Sequence, residues 1–357
     1  MSYTPSYARV TPLTLIHRRR LLPCPGEVLV SRGRLVKATE AIARAVVPQE
    51  HRFVNVARLL GVSPDRVARY LLKEVGEEVK QGETIAGRRG LLGLRRVRVS
   101  SPVTGVLKAV VGGRVLLEGE PETVEVLASV PGRIASVDPN MGAVVETHGA
   151  LVQLAWGRGG LAWGVLKVMP PDQEGRADPE AFNIDHHNAI VAIDAPLNEP
   201  YLQAADEQHV RAIIAPSADA ALLPVLEALQ YPVALTQGFG DMRMSEQILG
   251  LLKANNGQQI ALDAATPGRW RAERPEIIIP LQAPSDPVAP YVPGEALAIR
   301  QRVRILAPPH LGEIGEIVDL PPRERCLESG LWLHGAEVKL SSKETVFVPF
   351  ANLEHLG

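Results

Sequence analysis

Residues 75–110 read VGEEVKQGETIAGRRGLLGLRRVRVSSPVTGVLKAV. Apolar and polar residues alternate at Val79, Ile85, Val97, Val99, Val103 and Leu107, punctuated by Gly76, Gly82, Gly87, Gly90, Gly93 and Gly105. Period-two alternation broken by glycine predicts short strands joined by tight turns.

Working outward, the stretch repeats part of what precedes it. Gly33, Val36, Lys37, Glu40, Ile42 and Ala43 recur 43 residues later as Gly76, Val79, Lys80, Glu83, Ile85 and Ala86, giving G-x-x-V-K-x-x-E-x-I-A twice. A weaker third copy follows at Gly142, Val145 and Leu151. A second element, Val103, Gly105, Leu107 and Val110, returns 27 residues on as Val130, Gly132, Ile134 and Val137. So few and unequally spaced copies do not make a solenoid. They predict interlocked strand-turn-strand units, each burying its apolar face against another copy.

On these residues the segment 25–163 resembles the barrel-sandwich hybrid of biotinyl and lipoyl domains, of Rnf and Nqr electron-transport subunits and of membrane-fusion adaptors. The resemblance implies a small all-β domain, and through Rnf and Nqr an accessory role in a redox or carrier enzyme complex. Lys37, in VKATE, looks like the DKAT lysine of a lipoyl carrier. Being the repeat mate of Lys80, with no acidic residue before it, Lys37 is expected to be a solvated lysine at a strand edge.

A helical insertion at 53–74 interrupts the repeat. Val56, Leu59 and Leu60 form one stripe, Gly61 breaks it, and Ser63-Pro64 restarts a helix facing Val67, Leu71 and Leu72 inward. VARLLGVSPDRVARYL has the look of a helix-turn-helix, with Arg66, Arg69 and Lys73 offered to phosphates. It lacks the Asn, Gln or Ser side chains that read bases, so a two-helix cap over the sandwich edge is the expectation. Downstream, Arg88, Arg89, Arg95, Arg96 and Arg98 crowd among glycines and leucines. Such a tip can clamp carboxylate or phosphate bidentately, on a protein or a nucleic acid.

Composition bounds the rest. The 357 residues allow two or three domains, and 46% apolar with 22% charged residues is globular usage. Aromatics at 4% argue against stacking platforms for single-stranded nucleic acid. Cys24 and Cys326 stand far apart and fit a reducing compartment; with no signal-peptide pattern or membrane span read, the expected location is cytoplasmic. Residues 1–100 carry 19 Lys/Arg against 8 Asp/Glu, and the remaining 257 carry 19 against 32. This +11/−13 split can steer an anionic partner or let copies associate basic end to acidic end.

From residue 164 the grammar changes to strands AIVAID, RAIIAP, PVALTQ and EIIIPL alternating with amphipathic helices, which predicts a Rossmann-like or flavodoxin-like α/β domain over 164–282. Ligands would lie beyond the carboxyl ends of its strands, near Asp194, Ser217, Asp219, Gln237, Gly238, Gly240 and Asp241. No G-x-G-x-x-G, Walker motif or G-x-S-x-G elbow accompanies them. Asp185-His186-His187 is similar to the DHH phosphoesterase signature, but the upstream D-x-D of that family is missing, so a structural use is expected. No catalytic, cofactor or metal residue is assigned.

A proline-rich linker, APSDPVAPYVPGE, occupies 283–295, and beyond it alternation resumes at Val303, Ile305, Ile314, Ile317, Val338, Leu340, Val346 and Val348. With Gly312, Gly315 and the closing V-P-x-x-N-L-E, residues 296–357 resemble the SH3-like barrel of KOW type found in NusG-like factors and some ribosomal proteins. The resemblance implies binding to RNA or protein, and the acidic residues from Glu313 to Glu354 favour protein. The chain is thus expected to be multi-domain, α/β plus all-β: an N-terminal arm (1–24), a barrel-sandwich hybrid with a helical insertion, a Rossmann-like domain and a small barrel. The function expected of it is a non-catalytic scaffold or adaptor that self-associates or meets protein partners. An RNA- or transcription-associated factor, and an accessory subunit of a redox or carrier enzyme, are the alternatives.

Overall fold

A computed structural model describes residues 8–47, 51–89, 96–119, 121–265, 274–284 and 297–356. The chain is rich in β structure, and most strands join one large mixed sheet.

The first strands are β1 (Ala8–Leu21), β2 (Glu27–Val28), β3 (Leu35–Val36) and β4 (Ala41–Val47). Then come β5 (His51–Val54), α1 (Val56–Leu60), a 3-10 turn (Pro64–Tyr70), β6 (Glu78–Val79), β7 (Thr84–Arg89), β8 (Arg96–Ser100), β9 (Gly105–Val111) and β10 (Arg114–Gly119). β11 (Glu122–Leu127), β12 (Gly132–Asp138) and β13 (Gly142–Gln153) follow.

These strands form two copies of one unit, the second nested inside the first. In the host, β3 pairs with β12 (Val36 opposite Gly132), β12 with β13, β13 with β1, and β4 with β11. In the insert, β6 pairs with β9 (Val79 opposite Gly105), β9 with β10, β10 with β5, and β7 with β8. The hydrogen bonds repeat as well. The Gly33 amide donates to the Ile134 carbonyl at 2.8 Å, and the Gly76 amide to that of Leu107 at 2.7 Å. Glu40 Oε2 accepts from the Lys37 amide at 3.2 Å, and Glu83 Oε2 from the Lys80 amide at 2.9 Å. The glutamate of the repeat therefore closes its own turn, while Gly33 and Gly76, at φ +86° and +94°, open it where only glycine is unstrained.

The two copies do not interlock as expected. Ile16, Val36, Ile42, Ile134, Val145 and Leu151 belong to the host core, and Val56, Leu60, Val79, Ile85, Leu107 and Leu117 to that of the insert. The third repeat copy is part of the long strand β13, with Val145 and Leu151 buried. The helical insertion is also shorter than expected: α1 has five residues, and Ser63-Pro64 starts a 3-10 turn. Val56, Ala57, Leu60 and Val67 are buried in the insert's core, so the pair caps that core.

The chain continues through β14 (Trp156–Arg158), β15 (Leu161–Met169), β16 (Ile190–Ile193), α2 (Glu199–Glu207), β17 (Ala212–Ala218), α3 (Leu223–Ala228), β18 (Val233–Phe239), α4 (Glu246–Ala254), β19 (Gln259–Asp263) and β20 (Glu276–Pro280). β15, β16, β17 and β18 are parallel neighbours in chain order, and their continuous Ile, Val and Ala runs suit burial on both faces. Leu202 and Leu226 from α2 and α3 pack in one core, Ile248 and Leu252 from α4 in another. The EIIIPL strand differs from the expected parallel pattern: β20 runs antiparallel between β19 and β13. β15 runs unbroken through residues 163 and 164, where the sequence grammar changes.

Last come β21 (Arg302–Ile305), β22 (Ile314–Asp319), β23 (Arg325–Cys326), β24 (Trp332–Leu333), β25 (Gly335–Leu340), β26 (Thr345–Pro349) and β27 (Leu353–Leu356) around Val303, Ile317, Val338 and Leu353. The N-terminal strand joins all of this. β1 pairs antiparallel with β13 from Val10 to Leu21 and parallel with β27 from Ala8 to Val10. Among the described residues the main sheet therefore runs β14-β18-β17-β16-β15-β19-β20-β13-β1-β27-β21-β22-β25-β26 without a break. No helix among the described residues is long and apolar enough to cross a membrane.

Candidate functional site

The arginine cluster lies on the β7–β8 ribbon of the insert. Its register sets Arg89 opposite Arg96, Arg88 opposite Val97 and Gly87 opposite Arg98. Arg88 is committed: its Nη1 donates to the carbonyls of Leu60 (3.2 Å) and Gly61 (2.9 Å), closing the end of α1. Arg98 is exposed. Arg95 falls outside the described residues.

The insert also holds the clearest electrostatic network. Lys73 Nζ reaches Glu77 Oε1 (2.9 Å), Glu83 Oε1 (3.0 Å) and the Glu78 carbonyl (3.2 Å). The hydrogen bond to Glu77, then that to Glu83, holds the Lys73 ammonium above its usual range. The Glu77 and Glu83 carboxyls are held below theirs, first by the backbone amides of Glu74 and Lys80 and then by Lys73. Lys73 is thus engaged within the insert, whereas Arg66 and Arg69 are exposed.

At the carboxyl ends of the parallel strands the expected ligand groups satisfy one another. Asp194 Oδ1 accepts from the Met244 amide at 2.7 Å, and the Asp194 carbonyl accepts from Arg243. Ser217 Oγ donates to the Met242 carbonyl (2.9 Å) and accepts from its amide (3.0 Å). Asp219 Oδ1 caps the Ala221 amide at 2.8 Å. Gly238 and Gly240, at φ +100° and +133°, let the chain turn sharply after β18, and Asp241 is exposed. The 242–245 segment thereby lies against the strand ends where a ligand was expected. The parallel strands also follow chain order without reversal, so they do not form the crevice of a topological switch point.

Gln237 has another partner. Its Oε1 accepts from Arg304 Nη2 at 3.1 Å, and Arg304 Nε pairs with Glu354 Oε2 at 2.7 Å. Arg304 and Glu354 face each other on β21 and β27, with side chains only 8% and 1% exposed. Arg304 thus joins the last module to the α/β layer through Gln237, a contact that no short motif announces. Asp185-His186-His187 forms a capping box: Asn183 Oδ1 accepts from the Asp185 amide at 2.9 Å, and His186 Nδ1 accepts from the Asn183 amide at 3.0 Å. The His187 ring turns to the Gln208 carbonyl instead. Burial raises the phenols of Tyr201 and Tyr231, whose hydroxyls donate to Met169 Sδ and the Leu202 carbonyl inside one core. No protein-family model matches the chain, and no curated protein does.

Proposed function

We propose that the chain is a non-catalytic scaffold or adaptor, in which the nested insert is the contact module and the continuous sheet is its mount. The carrying observation is where the charge sits. Residues 51–119 hold 13 Lys/Arg against 6 Asp/Glu, while residues 154–284 hold 9 against 16. Within the insert, Arg66, Arg69 and Arg98 are exposed, an arrangement that suits an acidic partner surface. The α/β layer of a second copy has that character, so head-to-tail association is the expected assembly. In this reading the host and insert are two barrel-sandwich hybrids, the parallel layer a singly wound relative of the Rossmann-like fold, and the last module an SH3-like barrel.

The test is light-scattering mass across a salt series, with the 260/280 nm absorbance ratio recorded before and after nuclease. A discrete, nuclease-resistant mass of several chains that falls apart at high salt, and that Arg96→Ala/Arg98→Ala weakens, supports the scaffold. A high ratio that collapses with nuclease to leave a monomer overturns it in favour of an RNA-associated factor.

A further inference from the structure

The two lysine turns of the duplicated unit share one backbone geometry but not one setting. In the host, the Lys37 turn stands against the α/β layer, where a cleft of about 500 Å3 opens. Lys37 and Thr39 line one side; Trp163, Asn188, Arg211 and Gln259 line the other. These come from β15, from the amino ends of β16 and β17, and from the start of β19. The cleft therefore lies at the end of the parallel strands opposite to the closed site.

Its charge is one-sided. No carboxylate is among the lining residues, although residues 154–284 carry 16 Asp/Glu. Neither Lys37 nor Arg211 has an ion-pair partner among the described residues. Neutral acceptors hold Arg211 instead: Nε donates to Asn188 Oδ1 at 2.8 Å, and Nη1 to the Trp163 carbonyl at 2.6 Å. Asn188 is itself fixed, at φ +59°, with its amide donating to the His209 carbonyl at 3.0 Å. Glycine at 164 makes the room: a Cβ there would lie 3.1 Å from Arg211 Cδ and 3.3 Å from Ile190 Cγ1. A guanidinium set in place without a counter-charge, across a cleft from an ammonium, is arranged for an anion.

We infer that this cleft binds a small organic anion, with a phosphate or carboxylate group between Arg211 and Lys37 and a planar apolar body against the half-buried Trp163. Both oxyanions suit the Arg fork, the indole supplies a flat apolar face, and the volume lies within the range of small-molecule sites. The inference uses no residue of the insert and stands apart from the assembly reading.

The test is isothermal titration calorimetry of the full chain with phenyl phosphate, benzoate and, as the uncharged control, benzyl alcohol. Saturable binding of at least one oxyanion and none of the alcohol is expected, and the tighter of the two identifies the group. Lys37→Gln and Arg211→Gln should each weaken binding about tenfold or more, with circular dichroism unchanged. Lys37 is exposed and its side chain makes no hydrogen bond or ion pair among the described residues, so K37Q decides alone if R211Q does not fold. Heats that do not saturate with either oxyanion, equal binding of the alcohol, or full affinity in K37Q would each overturn the inference.

Discussion

Lys73 ties two carboxylates of the insert's turn, Glu77 and Glu83, to one ammonium. Glu77 and Glu83 are held below 4.5, so their contribution to stability is complete above that value and is lost as pH falls through their depressed values. The Lys73 contribution has the opposite sense: it is present below 10.5 and is lost as pH rises through its raised value. Thermal melts should therefore show a plateau between these limits and an acid decline below 4.5, and Lys73→Met should flatten that decline. An unchanged acid limb in K73M would show that Lys73 adds nothing to what the Glu74 and Lys80 backbone amides already supply. The Arg304–Glu354 pair is a different case, because it is almost wholly buried. Glu354→Ala leaves the Arg304 guanidinium uncompensated and is expected to cost about 3–5 kcal/mol, whereas Arg304→Met/Glu354→Leu should recover most of the loss. Denaturant unfolding followed by circular dichroism measures both, and equal losses in the single and double variants would contradict the argument.

At the scale of elements, the nested insert can be tested by cutting it out. Its two junctions meet: Val47 is directly opposite Glu122 in the host, and His51 opposite Glu118 in the insert. Joining β4 to β11 through Asn-Gly in place of residues 48–121 closes a hairpin whose strands already pair. The shortened chain is expected to fold, since the host core takes no residue from 51–119. Residues 51–119 alone should fold too, though with the marginal stability of so small a core. Dispersed amide spectra of both pieces would confirm two independent units, and a molten insert would show that it needs its host. The repeat was legible because in both copies Gly opens the turn, Glu closes it, and Val, Ile and Ala are buried beside it. Nesting was not, because the motif says nothing about which strand pairs with which. α1 read as a longer helix because Val56, Leu59 and Leu60 have helical spacing, yet Leu59 is exposed and Gly61 ends the helix in the left-handed conformation. At the strand ends, Asp194 and Ser217 bond the backbone of Met244 and Met242, partners that the spacing of the sequence does not announce.

For the whole molecule, β1 is the strand on which assembly of the chain depends. ARVTPLTLIHRRRL hides this role, since a proline and three consecutive arginines argue locally against a central strand. The pairing absorbs both features. The β1–β13 register shifts between Thr11 and Thr14, the interval that contains Pro12. Arg18 forms a bidentate pair with Glu276 on β20, one strand beyond β13, and both side chains are nearly buried. Ile16, fully buried, adds the strand to the host core. Removing residues 1–21 would strip the partner from one edge of β13 and from one edge of β27 at once, and unpaired apolar edges invite chain-to-chain pairing. Removal of residues 1–7 takes away none of these pairings and serves as the control. The longer truncation is expected to yield polydisperse, salt-insensitive aggregates by light scattering, unlike the salt-reversible association proposed for the intact chain. A monodisperse, fully folded Δ1–21 variant would mean that the α/β layer and the last module hold together through Gln237, Arg304 and Glu354 without the strand between them.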